Sequence, residues 1–190
     1  MRNSFATVVV DPPWPYPEGF NGFGNRRKLP YRSMTIEELK KLNVTSLLKR
    51  EGYLFMWTTN KYLGAAFDIL SAWGMTYRQT LTWCKPQVGG LGGMFGTNTE
   101  FILVGQKIRL GTNAHGPRTN GKRIQTSWFE WPRREHSQKP EEFYDILEQV
   151  ASPPYADVFA RRMRLGWKSF GDEVDGRDIR LTFAEIEQST

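Results

Sequence analysis

A chain of 190 residues with 39% hydrophobic content and a net charge of +6 is long enough for one domain with a substantial core. Its single cysteine, Cys84, excludes an internal disulfide and any multi-cysteine metal site. No run approaches the roughly 20 apolar residues of a membrane span, and the N-terminus has no signal-peptide layout, so a reducing, cytoplasmic setting without membrane contact is expected.

The elements follow in chain order. Val8-Val9-Val10 reads as a buried strand, stopped by Pro12-Pro13. Thr35-Ile36-Glu37-Glu38 has the form of a capping box and predicts a helix through about Leu48. Gly52 to Thr58 reads as the next strand. Asn60 is expected to cap a helix with Leu63, Ala66, Phe67, Leu70 and Trp73 at three-to-four spacing, ended by Gly74. Met75 to Trp83 and Phe101 to Val104 are further strands. Ser137 and Pro140 start a helix that turns Phe143, Ile146, Leu147 and Val150 inward, and Tyr155 to Ala160 and Trp167 to Phe170 are the last strands. Strands separated by helices imply an α/β fold, with a mostly parallel sheet covered by helices on both faces. Trp57, Trp73 and Trp83 sit on apolar faces and belong to the core. Residues 1–176 are expected to form the domain, with 177–190 as a tail of no assigned role.

The charge is unevenly placed. Residues 107–139 hold eight basic side chains (Arg118, Lys122 and Arg123 among them) against two acids, which accounts for the whole net charge of +6. Trp128, Phe129 and Trp131 are interleaved with them. That pattern points to a phosphate-contacting surface with stacking platforms, hence to nucleic acid as partner. The glycines from Gly89 to Gly96 are too loosely spaced for a phosphate cradle and read as an active-site loop. His115 and His136 lie far apart, and no metal-ligand set is visible.

The most specific element is Asp11-Pro12-Pro13-Trp14, directly after the valine strand. Two prolines fix the backbone and leave carbonyls without competing N–H groups, an acid precedes them and an indole follows. This bracket suits a planar ring bearing an exocyclic amine. The Asp11 carboxylate and the Pro12 carbonyl can each accept one N–H, which aims the nitrogen lone pair outward, while Trp14 stacks on the ring. The bracket selects an amine more than a ring, so adenine N6 and cytosine N4 both remain open.

The tetrapeptide resembles motif IV of amino-group methyltransferases, and its Trp form resembles the MT-A-seventy family of N6-adenine methyltransferases. Leu29-Pro30-Tyr31 with Met34, Gly52 to Trp57, Trp83-Cys84-Lys85, Leu103-Val104-Gly105, Ser137 to Pro140, Asp157 to Arg161 and Gly171-Asp172-Glu173 match that family in order. The resemblance spans about residues 5–176 and implies a Rossmann-like methyltransferase fold. It also implies a permuted motif order, with the base bracket before the cofactor strand.

As cofactor the resemblance implies S-adenosyl-L-methionine, with Asp11, Lys139, Phe159, Arg161, Asp172 and Glu173 around it. Tyr31, Lys85 and Glu100 would lie on the acceptor side with Trp14. Three positions depart from the eukaryotic RNA-modifying members: Arg164 stands where they carry an Asn, and Asp172-Glu173 replaces their Asn-Gln. The chain resembles a compact prokaryotic or viral-type member that methylates adenine in DNA. Still open are RNA as substrate and a silent subunit that only binds nucleic acid. Sequence specificity is left to loops, a second copy of the chain or an accessory subunit.

Overall fold

The computed structural model describes residues 4–16, 33–86, 94–108, 123–132 and 138–188. Seven strands form one sheet in the order β5-β3-β4-β2-β1-β6-β7. The strands are β1 (Phe5–Val10), β2 (Leu48–Thr59), β3 (Thr76–Cys84), β4 (Thr99–Gln106), β5 (Trp128–Glu130), β6 (Tyr155–Val158) and β7 (Trp167–Phe170). Four pairings are parallel, and β4 runs antiparallel to both of its neighbours.

Side-chain alternation along β1 sorts the core onto two faces. Val8 and Val10 face one cluster, which also holds Leu39 of α1 (Ile36–Lys41), Ile69 of α2 (Leu63–Ala72) and Phe183 of α5 (Ile179–Gln188). Val9 faces the other, with Phe55, Trp57, Trp83 and the Phe143–Leu147 stripe of α3 (Glu141–Val150). Helices therefore cover both faces, as expected for an α/β sheet. The helix α4 is one turn, Asp172–Asp175. No helix among the described residues is long and apolar enough to cross a membrane.

Several boundaries differ from the sequence reading. Thr35 does form a capping box: its hydroxyl accepts from Glu38 N at 3.2 Å, and its own N–H donates to Glu38 Oε2 at 2.8 Å. The helix ends at Lys41 rather than Leu48, because Leu42 turns extended and a 3₁₀ turn, Val44–Ser46, follows. Asn43, Val44 and Thr45 are weak helix formers, and the tighter turn buries Val44 and Leu47 while delivering Leu48 to pair with Phe5. Asn60 opens a 3₁₀ turn instead of capping α2. Gly74, with φ of +66°, ends that helix as expected.

Two corrections bear on function. Phe129 and Trp131 are not stacking platforms for a ligand. They lie on and beside β5, stacked on each other at 4.6 Å and buried in the second cluster, and only Trp128 is exposed, at 60%. The last residues are also more than a tail: Ile179, Phe183 and Ile186 of α5 are buried in the first cluster. Their spacing of four and three residues is that of an amphipathic helix.

Candidate active site

Strand β1 is central, with β2 parallel on one side and β6 parallel on the other. The chain leaves β1 for β2 first and reaches β6 much later, so strand order reverses between β1 and β6. Ligands of open α/β sheets bind outside the carboxyl ends of strands at such a reversal. Asp11 directly follows β1 there, and its N–H continues the ladder to Val158 O at 3.2 Å. Phe159, Ala160 and Arg161 directly follow β6.

The bracket is fastened from several sides. Trp14 N donates to Pro12 O at 2.9 Å, and Met34 N donates to Pro13 O at 2.9 Å. The Tyr62 hydroxyl donates to Pro15 O at 2.6 Å. These contacts correct the role expected of Trp14. Its indole lies flat against the Tyr62 ring, with centroids 5.2 Å apart and planes 8° from parallel, and the residue is 4% exposed. The face that was to receive a base holds the bracket to the end of β2 instead. Pro12 O, already engaged once by Trp14 N, keeps one lone pair.

Asp11 heads a chain of alternating charges. Its Oδ1 lies 3.0 Å from Lys139 Nζ, which also lies 3.3 Å from Glu100 Oε2. Glu100 Oε1 is 2.5 Å from Lys85 Nζ. On the other side, Asp11 Oδ2 is 3.9 Å from Arg161 Nε, and Arg161 pairs with Glu173 at 3.3 Å. Four of the expected cofactor residues and two of the expected acceptor residues thus form one continuous array. Lys85, expected on a phosphate, instead has its ammonium on Glu100 and over the Trp83 ring at 4.6 Å.

Burial alone would raise the Glu100 carboxyl, but Lys139 and Lys85 overrule it and hold its pKa below the ordinary value. Burial alone would lower the Lys139 ammonium, but Asp11 and Glu100 hold it above its ordinary value. Both groups are therefore fixed charges near neutral pH.

The crevice has two lobes that share Asp11, Phe159 and Arg161 as a wall. The larger, about 280 Å³, is also lined by Pro13, Met34, Asp172, Glu173 and residues of the C-terminal segment. The smaller, about 70 Å³, is lined by Lys139, Tyr144, Asp157 and Arg162. Phe159 holds its place with a left-handed φ of +62°, unusual for a bulky residue and typical of constrained sites. Gly171 brings Asp172 and Glu173 to the crevice by close packing: a Cβ there would meet Ala160 O at 2.7 Å.

Sequence reasoning missed the pair Asp157 and Tyr144. The Tyr144 hydroxyl donates to Asp157 Oδ2 at 2.9 Å, and both residues are buried. Burial pushes the Asp157 carboxyl up to about 7, with the Tyr144 hydrogen bond pulling down and the nearby Asp11 charge pushing up. The signal was available, since Tyr144 stands one turn after Pro140 on the same edge of α3 as Leu147. Arg123 is not at this crevice. It lines a separate groove between α3 and the segment leading into β5, which shares no residue with either lobe. Tyr31, Arg118 and Lys122 lie outside the described residues, as do most of the basic segment and Gly89 to Gly93.

An α/β sheet of this order, with its crevice at the reversal between β1 and β6, fits a Rossmann-like methyltransferase fold. The sequence matches the MT-A70 family over residues 5–173, and the chain belongs to that family, which places it among the adenine-N6 methyltransferases. Relatives include the type II methyltransferase M.MunI of a Mycoplasma species, 26% identical over 206 residues that cover 99% of this chain and 86% of that one. An Arabidopsis thaliana N(6)-adenosine-methyltransferase MT-A70-like protein is 30% identical over 95% of this chain and 25% of its own length. The human N(6)-adenosine-methyltransferase catalytic subunit METTL3 is 25% identical over 93% of this chain and 29% of its own. This chain therefore spans most of the Mycoplasma enzyme and less than a third of the other two.

Proposed function

We propose that this chain transfers a methyl group to the N6 amine of adenine in DNA, with S-adenosyl-L-methionine as donor. The observation that carries the reading is the Asp11 carboxylate, held at the switch point of the sheet in the wall shared by both lobes. DNA is favoured over RNA because the chain matches a type II methyltransferase over most of that protein's length.

The side chains present fit the donor. Its amino-acid end is a zwitterion, and Lys139, Arg161 and Asp11 offer both signs of charge within one array. Asp172 and Glu173 offer acceptors for hydroxyls across the larger lobe, the only one with room for a purine nucleoside. When bound, the donor supplies an activated methyl on a sulfonium, so the protein is asked for binding and alignment rather than for acid chemistry.

Asp11 does the aligning. Its Oδ1 is committed to Lys139, whereas Oδ2, at 3.9 Å from Arg161 Nε, is too far from it for a hydrogen bond and keeps acceptor capacity. An adenine N–H given to that oxygen leaves the nitrogen lone pair directed into the crevice. Lys139 fixes the carboxylate, and Glu100 with Lys85 fixes Lys139. A duplex substrate must flip its target base out of the stack, at a cost of a few kcal/mol.

Asp11→Ala is expected to lower kcat about a thousandfold while leaving nucleic-acid affinity unchanged. Labelled donor, DNA and RNA pools, and mass spectrometry of the released nucleosides read product and substrate together. Turnover retained by Asp11→Ala, or label on cytosine alone, refutes the proposal.

A further inference from the structure

The larger lobe has a wall that lies beyond the family match. That match stops at residue 173, yet Gly176, Asp178, Ile179 and Arg180 line the lobe together with Asp11 and Pro13. The wall is anchored from below, because Ile179, Phe183 and Ile186 of α5 are buried in the first core cluster.

Its upper edge is tied down by one guanidinium. Arg180 Nε donates to Asp178 Oδ1 and Oδ2 at 2.9 and 3.1 Å, and Nη2 donates to Oδ2 at 2.6 Å. Arg180 Nη1 reaches across to Glu38 Oε1 of α1 at 3.2 Å. The other oxygen of Glu38 closes the capping box on Thr35 N at 2.8 Å, and the preceding residue, Met34, donates to Pro13 O at 2.9 Å. Polar contacts therefore run from Asp178 through Arg180 and Glu38 to Thr35, and the adjoining Met34 joins them to the bracket that carries Asp11. Four of the residues so joined, Asp178, Arg180, Met34 and Pro13, line the larger lobe. The Arg180–Glu38 pair is partly exposed and adds little to global stability.

We propose that Arg180 is a positioning residue for the methyl donor: clamped between Asp178 and Glu38, it holds the C-terminal segment as the outer wall of the lobe that receives the adenosyl group. This rests on the reading of the crevice as the donor site. The smaller lobe, with Lys139 and Asp157, then serves the amino-acid end.

Calorimetric titration of the full chain with S-adenosylhomocysteine and with 5′-methylthioadenosine, which lacks the amino-acid end, tests the assignment. Arg180→Met keeps the aliphatic stem and removes the clamp. Glu38→Gln keeps the capping-box acceptor and removes the charge. Arg180→Met is expected to weaken both ligands about tenfold, and Glu38→Gln to weaken both in the same direction by less. KM for the donor should rise with kcat at saturation unchanged, and Glu38→Gln should melt with the wild type in the absence of ligand. Unchanged affinity in both variants overturns the proposal, and so does a loss confined to S-adenosylhomocysteine. A wild-type chain that binds neither ligand overturns the donor-site reading itself, and this proposal with it.

Discussion

Two of the charge clusters among the described residues differ in what surrounds them. Around Arg164, three acids of α3 (Glu141, Asp145 and Glu148) converge on one guanidinium, at 2.5 Å for Asp145 and 3.1 Å for Glu148. This cluster fastens the β6–β7 connection to a helix surface. The Asp11–Lys139–Glu100–Lys85 array is drier, and its Asp11 and Lys139 line a cavity. Density of ion pairs alone does not mark a site. Charge that is buried, balanced and left facing open volume does. Arg164, at the position expected to differ from the Asn of the eukaryotic RNA-modifying members, is engaged by α3.

The largest test of that contrast is Lys139→Met. It leaves Asp11 and Glu100 facing each other without their shared cation, which costs about 3 kcal/mol of stability and at least about a hundredfold in kcat/KM. Chemical denaturation and steady-state kinetics read the two effects. If the array were merely structural, activity per folded molecule would be unchanged.

A smaller effect is expected from Asp157→Asn. The folded chain raises this carboxyl from 3.8 to about 7, so the native state keeps a proton that the unfolded chain releases. Its stabilising contribution is complete below about pH 4 and is lost as pH climbs to about 7. The Asn variant should melt with the wild type at pH 4 and several degrees above it at pH 8, a gain of about 1–3 kcal/mol. Parallel melting curves across that range would show that Asp157 is ionised throughout. The smallest effect belongs to Arg164→Ala: about 1 kcal/mol of stability at low salt, less at high salt, and turnover within about twofold of wild type.

Much of this was legible in the sequence, for identifiable reasons. Val8 to Val10 followed by two prolines admits one local structure, a buried strand that stops, and Asp11 has to emerge at its end. Lys139 and Glu100 were nameable only through the family resemblance, since no spacing rule joins positions on α3's approach and on β4. Trp14 and Phe129 were misread for a common reason. An aromatic beside a charged or polar run looks like a platform until its face is counted, and in both residues the face is covered by another ring. Residues 177–190 were read as a tail because Arg177, Asp178 and Arg180 obscure the four-and-three spacing of Ile179, Phe183 and Ile186. Asp157 was quoted within a motif, but its partner Tyr144 sits one position off the stripe that was scored.

One strand runs against the others, and this decides where new capabilities can be grafted. Because β4 is antiparallel to β2 and β3, it starts at the edge of the sheet where Asp11 emerges, and there Lys85 N donates to Asn98 O at 2.8 Å. On the proposed reading, a change of length between those two anchors leaves every strand in register and leaves alone β1, β6 and α5, which border the proposed donor lobe. If that reading holds, substrate choice and donor binding can vary independently of each other.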